Sequence, residues 1–357
     1  MKNLKSFLVY GTIIVLGIIS IAGYIVSKKP AGTGVAGDIA INTAAPKDKE
    51  LQQGSSLPDK VLEKVKKAAL ITDSTPIVGV GRGDDYGKVV REAVENAGEL
   101  KNLIKKGDTV LIKPNLINGF PAGSAMCTDH RIIQQIADIA KEYGAERVIV
   151  AEASMSGNVF KAAEYDKITG VELIDMNQYD KADCYEIKPE KSLTGKALFI
   201  PKIYMDADVV ICAAKLKTHF QPDAVVSLSL KNSFGVPSNK IYNNIGYKNI
   251  LHAIGDLKDV IVDINRIRKP DFVVIDGIVA GEGNGPLNNT PVNANTVFAG
   301  SDPVAVDTAA LTFMGFTVEE VPHVKLAGEE GLGISDIAKI KVQGAVLDEI
   351  KMKFKKP

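Results

Sequence analysis

Residues 209–219 of this 357-residue chain read VVICAAKLKTH, an apolar run that leads directly into basic side chains. A short, continuous run of Val, Ile and Ala predicts a strand that is buried on both faces of a sheet. Such strands are typical of parallel sheets whose two faces are covered by helices. The stretch therefore indicates an α/β fold and places basic side chains at the carboxyl end of a strand.

Similar Val- and Ile-rich runs occur on both sides of this stretch, and helical patterns separate them. The other predicted strands are Ile77 to Val80, Val110 to Ile112, Arg147 to Ala151, Val171 to Ile174, Phe272 to Ile275 and Thr296 to Ala299. The predicted helices are Tyr86 to Ile104, Asp129 to Tyr143, Lys248 to Ile267 and Pro303 to Met314. This alternation predicts a mostly parallel sheet with helices on both faces, in one unit or in two lobes.

The first 29 residues differ from the rest of the chain in hydropathy and charge. Residues 7–26 carry no charge and supply about the 20 apolar residues that a membrane-spanning helix needs. Two lysines precede this run and two follow it. We expect residues 1–29 to be a retained single-pass membrane anchor, with a cleaved secretory signal or a helix of the core as alternatives. A signal anchor places the globular part outside the cytoplasm, and signal cleavage would make the protein secreted.

Residues 30–57 are rich in Gly, Ala, Ser, Thr and Pro and show no sustained apolar period. This composition is typical of a flexible linker. The folded α/β domain is therefore expected to span residues 58–357.

The charges of the whole chain balance, with 43 Lys and Arg against 43 Asp and Glu. This balance argues against a basic nucleic-acid surface, and the absence of Trp argues against a platform for stacking bases. The three cysteines, Cys127, Cys184 and Cys212, are too few for a disulfide framework and form no C-x-x-C motif. They predict either one disulfide with one free thiol or three buried thiols.

Polar side chains follow four of the predicted strands. These side chains are Lys113, Asn115, Glu152, Lys215, Lys217, His219 and Asp276. The carboxyl ends of parallel strands share one edge of a sheet, which is where ligands bind in open α/β folds. We expect these side chains to converge there.

The lysines at these strand ends predict a site for an anion. Lys113 ends a buried strand, so it needs either an anionic ligand or an ion pair with Glu152 or Asp276. Lys215 and Lys217 flank one residue and would point to the same side of a strand, toward a ligand or toward solvent at a solvated edge.

Two glycine-containing loops extend this prediction. Lys231 and Asn232 begin the loop at residues 231–235 (KNSFG), a cationic and amide cluster suited to a carboxylate or a phosphate. Gly283 and Gly285 lie in residues 281–286 (GEGNGP), where a ligand could approach the backbone. This loop matches no nucleotide-binding fingerprint.

Four side chains are candidates for proton transfer: Lys113, His219, Glu282 and Asp307. Asp307 is a carboxylate in an apolar helical pattern, so it needs a partner or a raised pKa. His219 has a structural role as its alternative, and Glu282 has a solubilising one. For His252 and His323 we expect structural or surface roles. A divalent metal, if bound, would be held by Glu152, Asp276 and Glu282.

Five of these motifs together resemble a known family. They are Lys113-Pro114-Asn115-Leu116, residues 215–219 (KLKTH), residues 231–235 (KNSFG), Asp276-Gly277 with residues 282–286 (EGNGP), and residues 301–307 (SDPVAVD). In this order they resemble the domain of unknown function 362 family (DUF362), from about Ile77 to Val342. The resemblance implies shared site positions and no particular reaction. Many members of the family carry a ferredoxin-like module with iron–sulfur cysteines, and this chain has no such cysteine run, so no iron–sulfur cluster is expected.

Two functions remain open at this stage. The first is an enzyme or enzyme-like protein that holds a small carboxylate or phosphate with its lysines, with or without a metal. The second is a non-catalytic, membrane-tethered extracytoplasmic protein that captures such a ligand or a metal. The expected partners are the membrane and a small anion, and nucleic acid is not expected.

Overall fold

An eight-stranded sheet forms the centre of the computed structural model, which describes residues 57–68, 75–155, 159–243 and 248–357. The strands are β1 (Ile77–Arg82), β2 (Thr109–Pro114), β3 (Arg147–Glu152), β4 (Glu172–Asp175), β5 (Cys184–Ile187), β6 (Leu198–Pro201), β7 (Val209–Lys217), β8 (Phe272–Glu282), β9 (Thr290–Gly300) and β10 (Lys341–Gln343).

The strands of the large sheet lie in the order β10-β1-β9-β8-β7-β2-β3-β4. Neighbours are parallel except at β9, which is antiparallel to both β8 and β1. β5 and β6 form a separate antiparallel pair. The predicted mostly parallel sheet is confirmed. The direction of β9 was not predicted, because a short buried run carries no information on strand direction.

Helices cover both faces of the sheet. The α-helices are α1 (Asp59–Ala68), α2 (Tyr86–Ala97), α3 (Leu100–Leu103), α4 (His130–Glu142), α5 (Val159–Ala162), α6 (Lys202–Asp206), α7 (Ser229–Asn232), α8 (Asn239–Tyr242), α9 (Asn249–His252), α10 (Leu257–Ile267), α11 (Pro303–Met314), α12 (Pro322–Glu329) and α13 (Leu347–Ile350). Val110 and Ile112 of β2 pack into one apolar core with α2 and α4, whereas Leu111 packs into a second core with α10 and α11. The described residues from 57 onward form one compact unit, so the two-lobed alternative is not observed among them.

Two helices predicted as continuous are broken. The first ends at Ala97 because Gly98 adopts φ 76°, and α3 begins only at Leu100. The second divides into α9 and α10, because Asp256 is extended at the start of α10. By contrast, α11 has the predicted bounds, and Asp302 caps it as an acceptor from two backbone N–H groups.

β8 is longer than predicted. It continues through Asp276 and Gly277 to Glu282, because β9 pairs with it along this whole length. The glycine-rich residues that the sequence suggested as a ligand loop therefore belong partly to a strand. The turn after β8 holds Gly283 and Gly285.

The predicted membrane-spanning run at residues 7–26 lies outside the described residues, as does the predicted linker up to residue 56. Among the residues that the structure describes, no helix is both long and apolar enough to cross a bilayer. Cys127, Cys184 and Cys212 are all buried and free, so the disulfide alternative is not observed.

Candidate functional site

Lys113, at the end of β2, forms a buried ion pair with Glu152 at the end of β3. The Lys113 Nζ atom lies 3.0 Å from Glu152 Oε2 and 3.1 Å from Oε1, and the two residues are 1% and 4% exposed. The same ammonium group donates to the Pro114 carbonyl at 2.8 Å and to Asn232 Oδ1 at 3.2 Å. Lys113 was expected to meet either an anionic ligand or a carboxylate of the chain, and it forms the ion pair with Glu152.

Asn115 and Asn232 complete this first group. Asn115 Nδ2 donates to Asn232 Oδ1 at 3.2 Å, and Asn232 Nδ2 donates to the Lys113 carbonyl at 3.2 Å. Asn115 Oδ1 is buried and has no hydrogen-bond partner among the described residues. Four of the predicted site residues therefore do come together: Lys113, Asn115, Glu152 and Asn232.

Lys215 and Asp276 form a second buried pair, across the neighbouring strands β7 and β8. Their Nζ and Oδ2 atoms are 2.8 Å apart, and the side chains are 1% and 0% exposed. Asp276 also accepts the backbone N–H groups of Asp129 at 3.0 Å and Ile278 at 3.2 Å. The charge of Lys215 is thus compensated within the protein.

Lys217 differs from both of these lysines because no carboxylate in the described part of the chain pairs with it. It is fully buried, and its Nζ atom donates to the backbone carbonyls of Met126 and Pro286. Burial lowers its pKa to about 7, since the charged form loses its hydration.

Lys231 and Lys248 are two more lysines without a carboxylate partner among the described residues. Lys231 Nζ lies 5.2 Å from the centre of the Phe234 ring, and burial lowers its pKa to about 8. Lys248 Nζ donates to the Phe234 carbonyl at 2.9 Å, and burial lowers its pKa to about 7. Sequence reasoning missed Lys248, because it treated this residue as the first of an ordinary amphipathic helix.

Three histidines lie near enough to Lys231 for its charge to affect their pKa values. Burial, together with repulsion from the Lys231 ammonium group, lowers the pKa of His219, of His252 to about 4 and of His323 to about 3. The His252 ring lies 4.7 Å from the Phe234 ring that also contacts Lys231. Structural or surface roles were expected for His252 and His323, and their shared proximity to Lys231 is visible only in the fold.

His323 is the most isolated of these rings. It is 0% exposed, and neither of its nitrogens has a hydrogen-bond partner among the described residues. The carbonyls of Asp223 and Ala224 lie near enough to favour its protonated form, but neither is placed for a hydrogen bond.

We name this group the Lys231 cluster. Its members are Lys217, His219, Lys231, Lys248, His252 and His323. They come from the end of β7 and the segment after it, from α7, from α9 with the residue before it, and from α12. Lys231 is half-buried against the Phe234 ring and forms no ion pair with a carboxylate of the described residues, so its positive charge is not compensated by one.

The turn after β8 packs directly against Thr218, the residue that follows β7. Gly283 adopts φ 77°, and its carbonyl accepts from Thr218 Oγ1 at 2.7 Å. A Cβ atom on Gly285 would lie 1.9 Å from the Thr218 carbonyl oxygen, so only glycine fits there. The close backbone approach expected for a ligand is made here by the chain itself.

Two predicted proton-transfer residues have structural partners. Glu282 accepts the backbone N–H of Lys355 at 2.9 Å and lies 3.4 Å from the ammonium group of that residue. Asp307 is fully buried, and its two oxygens accept the N–H groups of Ser229 at 2.9 Å and Leu230 at 3.0 Å. Burial raises the pKa of Asp307 to about 7. Asp307 therefore holds the start of α7, the helix that carries Lys231.

The three carboxylates predicted to bind a metal are not grouped. Glu152, Asp276 and Glu282 each pair with a different lysine. The described ranges hold no set of three or more His, Cys, Asp or Glu side chains placed to bind a metal ion.

Sequence reasoning also missed a cleft of about 340 Å³ beside the same edge of the sheet. It is lined by Asp84, Asp85, Tyr86, Gly87, Arg131, Gln134 and Gln135. Arg131 lies 3.8 Å from the centre of the Tyr86 ring and makes two 2.9 Å bonds to the Asp129 carboxylate. Although burial opposes it, the guanidinium lowers the pKa of Asp129 to about 2. The charge of Arg131 is thus compensated, unlike that of Lys231.

The chain is thus an α/β protein in which two buried lysines of the sheet pair with carboxylates. The cations of the Lys231 cluster beside them have no such partner. The chain belongs to the DUF362 family, because the model of that family, "Domain of unknown function (DUF362)", matches residues 110–312. The resemblance found in the sequence is confirmed.

One relative and one solved structure are also similar to the chain. The chain is 28% identical over 255 residues to the thylakoid-associated protein sll1697 of Synechocystis sp. This match covers 70% of the chain and 75% of that protein. A crystal structure of a Thermotoga maritima protein is similar with a TM-score of 0.39 and 10% identity, over 70% of this chain and 60% of that one.

Proposed function

We propose that this DUF362 protein binds a small anionic molecule, a carboxylate or a phosphate, at the Lys231 cluster. The observation that carries the proposal is Lys231 itself, a cation that shares the Phe234 side chain and backbone with His252 and Lys248 and forms no ion pair with a carboxylate of the described chain. Lys231 is half-buried, and partly burying an unpaired charge costs free energy, which an anionic ligand would offset. Oxygen atoms of such a ligand would also accept the N–H bonds that the cluster leaves unmade.

The contacts of the other lysines narrow the set of ligand-binding residues. Lys113 and Lys215 are neutralised by their own carboxylates, so in this proposal they support the strand ends and do not touch the ligand. Lys217, Lys231 and Lys248 bind the anion, with His219 beside them. Asn115 and Asn232 support the Lys113 pair.

In this proposal the anion is captured and not converted. The carboxylates that could have transferred protons are engaged elsewhere, Glu282 with Lys355 and Asp307 with the start of α7. Binding alone needs only the cations of the cluster, and no free carboxylate. Turnover of an added carboxylate or phosphate ester by the full chain would contradict it.

The test of binding uses sulfate and acetate, two anions whose charge is constant between pH 6 and 9. Both should bind the full chain in calorimetric titrations at constant ionic strength. The Lys231→Ala substitution should weaken binding by about tenfold to a hundredfold, since it removes one charge-assisted bond. The exposed Lys88 supplies the control, and Lys88→Ala should leave the affinity unchanged. Equal affinities of the wild type and Lys231→Ala, with both proteins folded by circular dichroism, would overturn the proposal.

The affinity should also depend on pH with a definite sign. Lys217 and Lys248 have pKa values of about 7 and Lys231 of about 8, and only their protonated forms attract an anion. Binding therefore requires proton uptake above these values, so the affinity for sulfate should fall at least about tenfold from pH 7 to pH 9. An affinity for sulfate that is constant over this range would exclude these lysines as ligands.

We also propose that residues 7–26 attach the protein to a membrane, with the α/β domain on the outer face. The uncharged apolar run supports this, and the relative from Synechocystis is described as thylakoid-associated. The full chain should float with liposomes, and deletion of residues 7–26 should release it. A full chain that stays in the soluble fraction would contradict the attachment.

A further inference from the structure

A solvent-exposed aromatic side chain lies beside the Lys231 cluster. Phe220 is 62% exposed, the most exposed of the large hydrophobic side chains in the described chain. Its ring lies nearly parallel to that of His219, at 12° and with 5.4 Å between the ring centres. The two rings form a small flat surface, of which the Phe220 ring faces solvent.

The backbone holds this surface in place. The N–H of His219 donates to the Val225 carbonyl at 2.7 Å, and the N–H of Phe220 donates to the Gly285 carbonyl at 3.0 Å. The N–H of Gln221 donates to His219 Nδ1 at 3.2 Å, which fixes the orientation of the imidazole. The exposure of Phe220 therefore belongs to a hydrogen-bonded segment and is not that of a loose loop.

A single exposed hydrophobic residue needs no explanation by itself. The position of Phe220 is what distinguishes it, because its N–H is bonded to the Gly285 carbonyl while the Lys217 ammonium group donates to the carbonyl of the next residue, Pro286. An anion held by the ammonium groups of the Lys231 cluster would have its non-ionic part beside the exposed ring. Aromatic rings that stack or pack edge to face stabilise each other beyond the area they bury.

We infer that the ligand is an aromatic anion, whose ring packs on Phe220 while its carboxylate or phosphate group binds the Lys231 cluster. This inference rests on the function proposed above and adds the chemical class of the ligand. A carboxylate and a phosphate share the anionic chemistry, and the test below separates them.

The test compares matched pairs of anions on the full chain by calorimetry. Benzoate should bind about threefold to tenfold more tightly than acetate, and phenyl phosphate more tightly than methyl phosphate by a similar factor. If benzoate and acetate bind more tightly than the two phosphate esters, the anionic group of the ligand is a carboxylate. The reverse order identifies a phosphate. Benzamide, which is neutral, should not bind at measurable strength.

Variants of Phe220 locate the aromatic contact. Phe220→Ala should remove the advantage of benzoate over acetate while leaving acetate binding unchanged, and Phe220→Leu should restore little of it. The control is Val346→Ala, which removes another exposed hydrophobic side chain, 57% exposed, and should change neither affinity. The chain contains no Trp, so Phe220→Trp introduces a single tryptophan, which can be excited selectively near its red edge and whose emission should change when benzoate is added.

The outcomes separate the two proposals. If acetate and methyl phosphate bind and depend on Lys231, but the aromatic anions bind no better or Phe220→Ala weakens all of them equally, only the aromatic inference is overturned. If none of these anions binds, or if Lys231→Ala changes nothing, the proposed function fails and the aromatic inference fails with it.

Discussion

Replacing Glu152 with Ala is expected to lower the free energy of unfolding by about 3–5 kcal/mol. The substitution leaves the Lys113 ammonium group buried with only the Pro114 carbonyl and the Asn232 amide oxygen as partners. It also removes the acceptor of the Leu116 N–H. A buried cation without its carboxylate costs far more than the intact pair contributes, which is why this variant should show one of the largest effects. Chemical denaturation, with the slope checked for a change in cooperativity, measures the loss.

The matched control for Glu152 is another ion pair between neighbouring parallel strands. Arg147 and Glu172 also join adjacent strands, but both side chains are about half exposed. Glu172→Ala should therefore cost less than about 1 kcal/mol. Adding Lys113→Met to Glu152→Ala should recover part of the lost stability, because it removes the unpaired charge. Similar losses of unfolding free energy for Glu152→Ala and Glu172→Ala would mean that burial does not set the effect of breaking the Lys113–Glu152 pair.

Replacing Lys217 with Met is expected to change how stability depends on pH. Lys217 has a pKa of about 7 in the folded chain, against 10.5 for an ordinary lysine. Between these values the unfolded chain binds more protons than the folded one, so this residue makes the wild type more stable as pH rises. The full penalty for its charge applies below pH 7 and disappears by about pH 10.5.

Lys217→Met has no such group, so the stability difference between variant and wild type should move by about 2–3 kcal/mol in favour of the wild type from pH 7 to pH 9. Denaturation at several pH values without added anions measures this difference. Lys88→Met, at an exposed lysine, should show no such shift. A difference that is independent of pH would mean that Lys217 stays fully charged in the folded state. Sulfate should bind Lys217→Met more weakly than the wild type, because the same unfavourable charge attracts the ligand.

Much of the candidate site was predictable from the order of residues along the chain. Apolar runs identified the strands, and the side chains after them had to meet at one edge of a parallel sheet. The pair of Lys113 with Glu152 is consistent with this geometry, since both lie at the ends of neighbouring strands, and Lys215 and Asp276 are register partners on β7 and β8. The alternative between ion pair and ligand site could not be decided from spacing, because it depends on side-chain distances of a few tenths of a nanometre.

The Lys231 cluster itself was only partly predictable. Lys217, His219 and Lys231 belong to motifs that the sequence singled out, but Lys248, His252 and His323 did not stand out. The last three lie on or beside short helices whose position in space depends on how the chain packs against the sheet. Nothing in their local sequence distinguishes them from residues on a solvated helix.

By itself, the sequence determined the α/β class, the mostly parallel strands, the bounds of α11 and the family, because these depend on local apolar periodicity and on motifs in fixed order. Only the tertiary structure decided which cations are compensated. An ion pair forms or fails to form according to whether a carboxylate lies within a few ångströms, and that distance is set by strand register and helix packing. Residues 209–219 show both parts: their apolar run predicted the strand, whereas the fold gave Lys215 a carboxylate and left Lys217 with carbonyl oxygens alone.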